Sequence, residues 1–312
     1  MLERLAARCL ERGLPPPVYW QTHFDTILIT GPTASGKSSL SLQLGELFPA
    51  ANIAMDSALV YRGMDIGTAK PSAAEQAQMP HYGMDLIDPA QRYSVAQFLN
   101  DAQNGINQAR IAGRLPLVVG GTMMYANALY HGLNALPEGN AAVRAALEAK
   151  AAKLGWAALH AELIQCDPVT AAKLAPNDAQ RIERALEVFY VTQKPLSQWL
   201  AESAPSTPLM QQGRWLHISI EPAREVIWHR VANRFEAMLN AGFLEEVAAL
   251  KAGGDLNPDL PSIRCVGYRQ AWSYLNGDYD YNTFKEKGVI ATRQLAKRQM
   301  TWLRSMVQRV II

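Results

Sequence analysis

The sequence has few of the features that mark secreted, metal-binding or membrane proteins. Only three cysteines occur, Cys9, Cys166 and Cys265, and because they are widely spaced with no C-x-x-C pair, neither a disulfide framework nor a zinc site is expected. The six histidines are scattered without metal-ligand spacing. The chain has no run of about 18 apolar residues, and no apolar signal segment follows its charged N-terminus. We therefore expect a cytoplasmic protein without a membrane partner.

A strong charge imbalance is absent as well. The formal net charge is +2, while 49% of the 312 residues are apolar and 19% are charged. This balance is ordinary for a globular enzyme and argues against a disordered or fibrous chain. The length allows one large domain, or one domain with a smaller one attached. Nothing in the composition calls for a dimer, so a monomer is expected.

A phosphate-binding loop is the clearest positive signal. Residues 31–38 have the sequence GPTASGKS and match the pattern G-x-x-x-x-G-K-[ST]. They follow the apolar run 26–29 and precede residues 39–48, whose apolar residues recur at helical spacing. The glycines allow a tight turn with inward-facing N–H groups, the lysine adds a positive charge, and the final serine offers a hydroxyl to Mg²⁺. We expect the loop to bind a di- or triphosphate through Gly31, Pro32, Thr33, Ala34, Ser35, Gly36, Lys37 and Ser38, with Ser38 at the metal ion.

Two further apolar segments predict buried parallel strands. Residues 52–55 end at Asp56, and residues 115–119 end at the turn Gly120-Gly121-Thr122. Because ligands bind beyond the carboxyl ends of the strands in open α/β sheets, the P-loop, Asp56 and Thr122 are expected to converge. The sequence therefore predicts an α/β fold with a parallel sheet of the P-loop NTPase type, flanked by helices.

A helical segment interrupts this α/β pattern. Stretches rich in Ala, Leu, Glu and Gln predict helices over residues 141–155, 156–165, 178–193 and 196–201, and strand character resumes at residues 215–220. We accordingly predict an N-terminal extension (1–25), a catalytic core (26–136 and 205–312) and a helical insertion domain (137–204).

The usual companions of a nucleotide-triphosphatase P-loop are missing. The best candidate partner strand ends in Gly-Gly-Thr rather than in an acidic residue that helps to hold Mg²⁺, and no Asn-Lys-x-Asp sequence is present to recognise guanine. A GTPase is therefore disfavoured. Two alternatives stay open at this point: another diphosphate-containing substrate, and a P-loop kinase of a small metabolite or nucleoside.

Several positions near the predicted crevice permit both a chemical and a structural interpretation. Asp56 is either a general base or the N-cap of a helix, since an Asp-Ser pair caps helices well. Thr122 either bonds a phosphate oxygen or starts a helix predicted at residues 123–130. Arg230 and Arg234, four residues apart, either reach the site or lie on a surface.

Positive charge accumulates towards the C-terminus. Residues 251–312 contain ten lysines and arginines against five acidic residues, which suggests a polyanionic partner. On a helix predicted over residues 287–306, Arg293, Lys297 and Arg304 form one stripe, and a separate apolar arc that includes Trp302 packs against the protein. The stripe is either a solvated face or a contact with nucleic-acid phosphates.

Two shorter segments combine arginine with features that suit RNA. Residues 264–269 (RCVGYR) place two guanidinium groups beside Tyr268, a composition suited to stacking and phosphate binding at a single-stranded RNA loop. Residues 180–184 (QRIER) offer a second basic edge on the predicted insertion. A self-paired surface helix explains that second pattern equally well.

Taken together, these motifs resemble those of a known family. The segments GPTASGKS, DSALVYRGMDIGTAKP, VVGGTMMY, NDAQRIERALEV, SIRCVGYRQ and ATRQLAKRQMTWLR occur in this order and are similar to those of bacterial tRNA dimethylallyltransferases, also called tRNA isopentenyltransferases. The resemblance spans residues 27–304. It implies transfer of a dimethylallyl group from dimethylallyl diphosphate to N6 of the adenosine at tRNA position 37, beside the anticodon, with release of pyrophosphate.

The resemblance also implies roles for individual residues. Residues 33–38 would hold the diphosphate with Mg²⁺, Thr122 and Arg234 would help to neutralise the leaving group, and Asp56 would accept the N6 proton. The resemblance thus favours chemistry over capping for Asp56, and stacking on Tyr268 would offset the cost of unstacking the adenine. Residues 1–25 precede the family pattern and receive no role. The residues implied to contact the anticodon stem-loop of tRNA are Asp56, Ser57, Ala58, Leu59, Thr122, Arg144, Gln180, Arg181, Ile182, Glu183, Arg184, Arg264, Cys265, Val266, Gly267, Tyr268, Arg269, Arg293, Lys297 and Arg298.

Overall fold

A six-stranded parallel sheet forms the centre of the molecule's larger unit. The structure is a computed structural model that describes residues 1–306 and 309–312. Its strands are β1 (Thr26–Thr30), β2 (Ala50–Met55), β3 (His81–Tyr82), β4 (Leu115–Gly120), β5 (Trp215–Ser219) and β6 (Val310–Ile311). They lie in the order β3-β2-β4-β1-β5-β6, and every neighbouring pair is parallel. The predicted α/β class is confirmed.

The chain forms two units, which are described separately. Unit 1 comprises Met1–Tyr130 and Leu209–Ile312, and unit 2 comprises His131–Pro208. The helices of the chain are α1 (Leu2–Glu11), α2 (Trp20–His23), α3 (Lys37–Gly45), α4 (Ala73–Gln78), α5 (Val95–Ile111), α6 (Met123–His131), α7 (Ala141–Leu154), α8 (Trp156–Cys166), α9 (Pro168–Ala171), α10 (Ala179–Thr192), α11 (Leu196–Glu202), α12 (Arg224–Asn240), α13 (Phe243–Ala252), α14 (Tyr268–Leu275) and α15 (Tyr281–Ser305).

The helical unit is wider than the insertion predicted over residues 137–204. Its two flanking segments pair with each other, because Asn134 forms an antiparallel bridge with Pro205 and the N–H of Ser206 donates to the carbonyl of Leu133 at 2.8 Å. This pairing of short extended segments was not visible in the helical periodicity. It places both flanks in unit 2.

The central strands are buried on both faces, as expected for a parallel sheet covered by helices. All residues of β1 and β4 are buried. Alternate residues of β1 enter different clusters: Ile27 and Ile29 pack with Leu40 of α3, whereas Leu28 packs with Phe98 of α5. The period-two pattern of the strand therefore builds two separate apolar cores.

The N-terminal segment is part of unit 1 rather than an appendage. Leu5, Cys9 and Trp20 are fully buried in the same cluster as the first face of β1. Trp20 also donates through Nε1 to the carbonyl of Pro15 at 2.9 Å. The prolines at positions 15–17 therefore join two packed segments, and residues 1–25 belong to the fold of unit 1 instead of extending from it.

A third core lies among helices α12 to α15. Phe235, Phe243, Tyr268 and Phe284 are buried together there. Helix α15 starts at Tyr281, earlier than predicted, because Asp280 caps it by accepting the N–H of Thr283 at 2.7 Å. None of the described helices combines the length and the apolar character needed to cross a membrane.

Unit 2 has its own small core and a buried carboxylate. Leu159, Leu163, Ile182 and Leu186 are fully buried between α7, α8 and α10. Glu187 on α10 has a side chain only 1% exposed, and it pairs with two arginines. Burial of a charged group in so small a unit requires such pairing.

Candidate active site at the carboxyl ends of the strands

A cavity of about 580 Å³ opens beyond the carboxyl ends of β1, β2 and β4. The P-loop follows β1, Asp56 follows β2, and Thr122 follows the Gly-Gly turn after β4. Parallel strands end at the same edge of the sheet, so these three segments meet there, as the sequence analysis expected. The residues from these segments that line the cavity are Thr33, Ala34, Lys37, Ser38, Asp56, Ser57, Ala58, Leu59, Gly120, Gly121, Thr122, Met123 and Met124.

The P-loop adopts a tight turn that only glycine permits at its start. A Cβ on Gly31 would lie 2.6 Å from Ser35 Oγ and 2.7 Å from the carbonyl oxygen of Ile220. Helix α3 begins at Lys37, directly after Gly36 in a left-handed conformation (φ 104°). The first N–H groups of α3 therefore open towards the cavity, which is the arrangement that binds anions.

Polar groups of the P-loop are suited to a phosphate ligand. Lys37 Nζ donates to the carbonyls of Gly31 (3.0 Å) and Pro32 (2.8 Å). Ser35 Oγ is buried and has no hydrogen-bond partner among the described residues. A buried hydroxyl without a partner is costly, and a phosphate oxygen is the kind of acceptor that this loop geometry presents to it.

The wall of the cavity carries charges of both signs. Burial lowers the pKa of Lys37 to about 8, with Asp56 opposing the shift and Arg234 adding to it. Burial also lowers the pKa of Arg234, again opposed by Asp56. Asp56 is therefore electrostatically coupled to two partly buried cations that line the same cavity. Such a site can bind a diphosphate through its cations and can also keep a carboxylate in its anionic form.

Asp56 is not the N-cap of a helix. Residues 56–58 form a bend without helix, and Asp56 Oδ1 accepts the N–H of Ala58 at 2.9 Å, which is an Asx-type turn. The capping interpretation is therefore wrong. The turn fixes the carboxylate at the wall of the cavity, so the structure is compatible with its use as a base.

Thr122 starts helix α6 through its backbone, while its side chain reaches across to the β2 end. Its carbonyl accepts from the N–H groups of Tyr125 (2.9 Å) and Ala126 (3.2 Å). Its Oγ1 accepts the N–H of Ser57 at 3.0 Å. The hydroxyl thus joins the segments after β4 and β2 and also faces the cavity.

Two of the arginines of α12, Arg230 and Arg234, lie at the P-loop and at the cavity, although Arg230 is an exposed residue. Arg234 lines the cavity. Arg230 Nη1 donates to the carbonyl of Ser35 at 3.1 Å. One arginine is therefore placed to meet a ligand, and the other holds the loop.

The segment 264–269 contributes only partly as expected. Arg264, Cys265, Val266 and Gly267 line the cavity, and burial raises the pKa of the Cys265 thiol to about 12, which makes it unreactive. Arg269 is exposed but is not among the residues of the cavity wall.

Tyr268 does not face the cavity, which corrects its predicted role. Its side chain is fully buried, its hydroxyl donates to Glu246, and its ring meets Phe243 edge-on with centroids 5.1 Å apart. A ring enclosed in this way has no free face for a base. Tyr268 is therefore a core residue rather than a stacking platform.

The residues that helix α15 places at the cavity differ from the predicted ones, since neither Arg293 nor Lys297 lines it. Arg293 is partly buried and donates to the carbonyl of Trp228 at 3.3 Å, so it does not extend the exposed stripe that Lys297 and Arg304 share. Trp302, predicted to pack inside, is 44% exposed. The residues of α15 that line the cavity are Thr292, Leu295, Arg298, Gln299 and Trp302.

The basic edge predicted in unit 2 is largely occupied by internal pairs. Arg144 and Arg184 both pair with Glu187, at 2.7 and 2.6 Å. Arg184 also donates to the carbonyl of Pro137. The exposed residues of the QRIER segment are Gln180 and Arg181.

One residue of that segment is excluded as a contact. Ile182 is fully buried in the unit 2 core, so its predicted contact with RNA is wrong. Glu183 is partly buried. The helical period explains the error, because five consecutive residues on a helix cannot all face one side.

The donor set fits a magnesium ion that arrives with a phosphate ligand. Among residues 1–306 and 309–312, no group of three or more His, Cys, Asp or Glu side chains could hold a metal. Ser38 is exposed at the cavity, and Asp56 lines the same cavity. Mg²⁺ commonly takes one or two protein ligands and completes its shell with phosphate oxygens and water.

Comparisons with known proteins find relatives over nearly the whole chain. A model of the IPP transferase family matches residues 59–306. The chain is 55% identical over 290 residues to the tRNA dimethylallyltransferase of Ralstonia nicotianae, covering 92% of this chain and 90% of the relative. It is 53% identical over 285 residues to the tRNA dimethylallyltransferase of Burkholderia cenocepacia, covering 91% and 88%.

Solved structures show the same fold. The chain is 33% identical to the tRNA isopentenylpyrophosphate transferase of Bacillus halodurans, with a TM-score of 0.64 and coverage of 92% of this chain and 89% of that one. It is 26% identical to a eukaryotic dimethylallyltransferase acting on tRNA, with a TM-score of 0.75 and coverage of 92% and 73%.

Proposed function

The chain belongs to the IPP transferase family and transfers a dimethylallyl group to tRNA, and we propose that the donor is dimethylallyl diphosphate and that the acceptor is N6 of adenosine 37 in the anticodon stem-loop. The resemblance inferred from the sequence motifs is confirmed by the family match. The observation that carries the proposal is the meeting of the P-loop, Asp56 and Arg234 in one cavity whose wall also includes the exposed Trp302.

The diphosphate end of the donor would lie on the P-loop. The N–H groups at the start of α3, Lys37 and Arg234 are placed where negative charge develops as the bond between C1 and oxygen breaks. Mg²⁺, bound with the diphosphate through Ser38, would supply further positive charge at the same oxygens. Because these groups are fixed before the reaction, little reorganisation is needed in the transition state.

The acceptor amine requires a base. Its lone pair is delocalised into the purine, so N6 is a weak nucleophile until its proton is removed. As the N6–C1 bond forms, the C1–O bond breaks and its electron pair leaves with pyrophosphate, while the N6 proton passes to the carboxylate of Asp56. The Asx-type turn with Ala58 holds that carboxylate at the cavity wall.

The tRNA would approach the cavity along exposed cationic and aromatic side chains. Arg264, Lys297, Arg298 and Arg304 are exposed and offer positive charge to phosphates. We assign the stacking role to Trp302 in place of the buried Tyr268, because an unstacked base needs an accessible ring. Gln180 and Arg181 are the exposed candidates in unit 2. A monomer in the cytoplasm, where free tRNA is abundant, completes the proposal.

The decisive experiment uses the purified protein, Mg²⁺, dimethylallyl diphosphate and a tRNA that lacks the modification. Digestion and mass spectrometry should show one adenosine, at position 37, that is heavier by one five-carbon unit, with an equal amount of pyrophosphate released. ATP consumption in the absence of that product would support the P-loop kinase instead. The product at a different adenosine would overturn the assignment of the acceptor.

A further inference from the structure

Gln299 hydrogen-bonds two other segments of the active site, the P-loop and the turn after β4. It lies on α15 with only 8% of its surface exposed. Its Oε1 accepts the N–H of Thr33 in the P-loop at 2.8 Å, and its Nε2 donates to the carbonyl of Gly121 after β4 at 2.8 Å. One side-chain amide therefore joins the P-loop and the Gly-Gly turn to α15.

The space for this amide is provided by a glycine. A Cβ on Gly121 would lie 2.6 Å from Gln299 Nε2 and 3.3 Å from the carbonyl oxygen of Gly31. Any larger residue at position 121 would push the amide out of place. Close packing therefore requires a glycine at position 121, and this requirement is independent of the two hydrogen bonds.

Only glutamine offers this pair of bonds at this reach, because asparagine carries the same amide on a shorter side chain. An amide presents an acceptor and a donor side by side, which matches one backbone N–H and one backbone carbonyl. A glutamate at position 299 would turn an oxygen towards the carbonyl of Gly121, and a leucine would leave both backbone groups without partners. The bond to Thr33 also fixes one P-loop N–H, so the remaining N–H groups of the loop keep their direction.

We propose that Gln299 is a positioning residue that holds the P-loop in the conformation that binds the diphosphate of the donor. This inference rests on the proposed function, since it takes the P-loop ligand to be a diphosphate. Gln299 acts through the loop backbone and the turn after β4. The same helix carries Arg298 and Trp302, which face the cavity.

The first test separates donor binding from RNA binding. Gln299→Leu and Gln299→Glu should raise the KM for dimethylallyl diphosphate about tenfold, the scale of one hydrogen bond to a preorganised site, while the KM for tRNA changes less than about twofold. Calorimetric titration of the protein with Mg²⁺ and pyrophosphate should show a matching loss of affinity. Gln108→Leu, a change of the same type at an exposed position of α5, is the control and should leave both constants unchanged.

The outcomes are distinct. A rise in the KM for tRNA alone would show that Gln299 contacts the RNA. A lower melting temperature with unchanged pyrophosphate affinity would show that its role is purely structural. Either result would overturn the inference. If the unmodified protein forms no dimethylallyl adenosine but its pyrophosphate affinity depends on Gln299, the proposed function fails while the positioning role stands.

A second test uses the glycine. Gly121→Ala should weaken pyrophosphate binding as Gln299→Ala does, because the added methyl displaces the amide. In the double variant the methyl group occupies the space that the amide has left, so its affinity should be no lower than that of either single variant. Losses that multiply would show that Gly121 and Gln299 act separately and would overturn the inference.

Discussion

The side-chain oxygen of Thr122 accepts a hydrogen bond from the backbone N–H of Ser57 at 3.0 Å. This bond links the ends of two adjacent strands, β4 and β2, directly beside the carboxylate of Asp56. The position of this carboxylate is therefore fixed from both sides, by the Asx-type turn to Ala58 and by the neighbouring strand. Such support is what a catalytic group needs to stay within reach of a reacting atom.

Replacing Asp56 with asparagine should separate catalysis from binding. The amide oxygen can still accept the N–H of Ala58, so the turn is kept, but the group can no longer take a proton. We expect kcat to fall by about 10²- to 10⁴-fold, the usual contribution of a general base, with tRNA affinity unchanged in a filter-binding assay. A loss of tRNA affinity comparable to the loss of rate would make Asp56 a binding residue.

Activity should decline at alkaline pH because of Lys37. Burial lowers its pKa to about 8, so the free enzyme loses this positive charge as the pH rises through that value. We expect kcat/KM for dimethylallyl diphosphate to fall above about pH 8. Lys37→Met should have a low and flat profile over the same range. An unchanged decline in the variant would assign it to another group.

Trp302 should govern the affinity for tRNA. Stacking of a base on an aromatic ring contributes about 1–3 kcal/mol, so Trp302→Ala should raise the KM for tRNA about tenfold, whereas Trp302→Phe retains a ring and should restore most of the affinity. The KM for dimethylallyl diphosphate serves as the internal reference. An unchanged KM for tRNA in Trp302→Ala would contradict the assignment.

His217 should make the fold sensitive to acid. It hydrogen-bonds the hydroxyls of Thr30, at 2.7 Å, and Tyr130, and burial, assisted by Arg309, lowers its pKa to about 3. Below pH 6.5 the unfolded chain binds a proton that the folded chain does not, so the free energy of unfolding should fall as the pH decreases from 6.5 towards 3.

Urea unfolding at several pH values measures this effect. His217→Gln should lower the stability at pH 7 by about 1–3 kcal/mol through lost buried hydrogen bonds, and should flatten the dependence between pH 6.5 and 3. His23→Gln, at an exposed position, is the control. An equally steep dependence in His217→Gln would show that other groups cause it.

Glu187 should stabilise unit 2. Glu187→Ala removes the acceptor of Arg144, Arg184 and the N–H of Asn140. Since the two arginine side chains are 28% and 32% exposed and can be rehydrated, we expect a loss of about 2–3 kcal/mol, below the 3–5 kcal/mol of a fully buried pair. Calorimetric unfolding checks this value. Arg181→Ala breaks only an exposed pair and should cost less than about 1 kcal/mol.

The sequence predicted the parts of the site that depend on local residue order. The P-loop is a continuous motif after an apolar strand, and Asp56 and Thr122 follow the next two predicted strands, so the rule for parallel sheets was enough to bring them together. Strands β3 and β6 were not predicted because each contains only two residues and has no detectable period.

The errors arise where tertiary packing decides which side of a helix is buried. The helical period correctly separated Trp302 from the basic stripe of α15, but it could not tell that Trp302 borders a cavity instead of packing in the core. Tyr268 lies at the start of α14, where Phe243 and Glu246 from α13 enclose it. Gln299 lies within the motif ATRQLAKRQMTWLR, but its role could not be predicted, since it depends on two backbone groups from distant parts of the chain, Thr33 and Gly121.

The discontinuity of unit 1 has a consequence for synthesis on the ribosome. Strand β5 lies beside β1 in the sheet, yet the whole of unit 2 is translated between them. One edge of the apolar strand β1 therefore has no partner until residues 215–219 emerge, whereas unit 2, with a core of its own, can fold during this interval. An unpaired apolar strand edge is prone to intermolecular pairing, so we expect the nascent chain to be most prone to aggregation while the helical unit is being made.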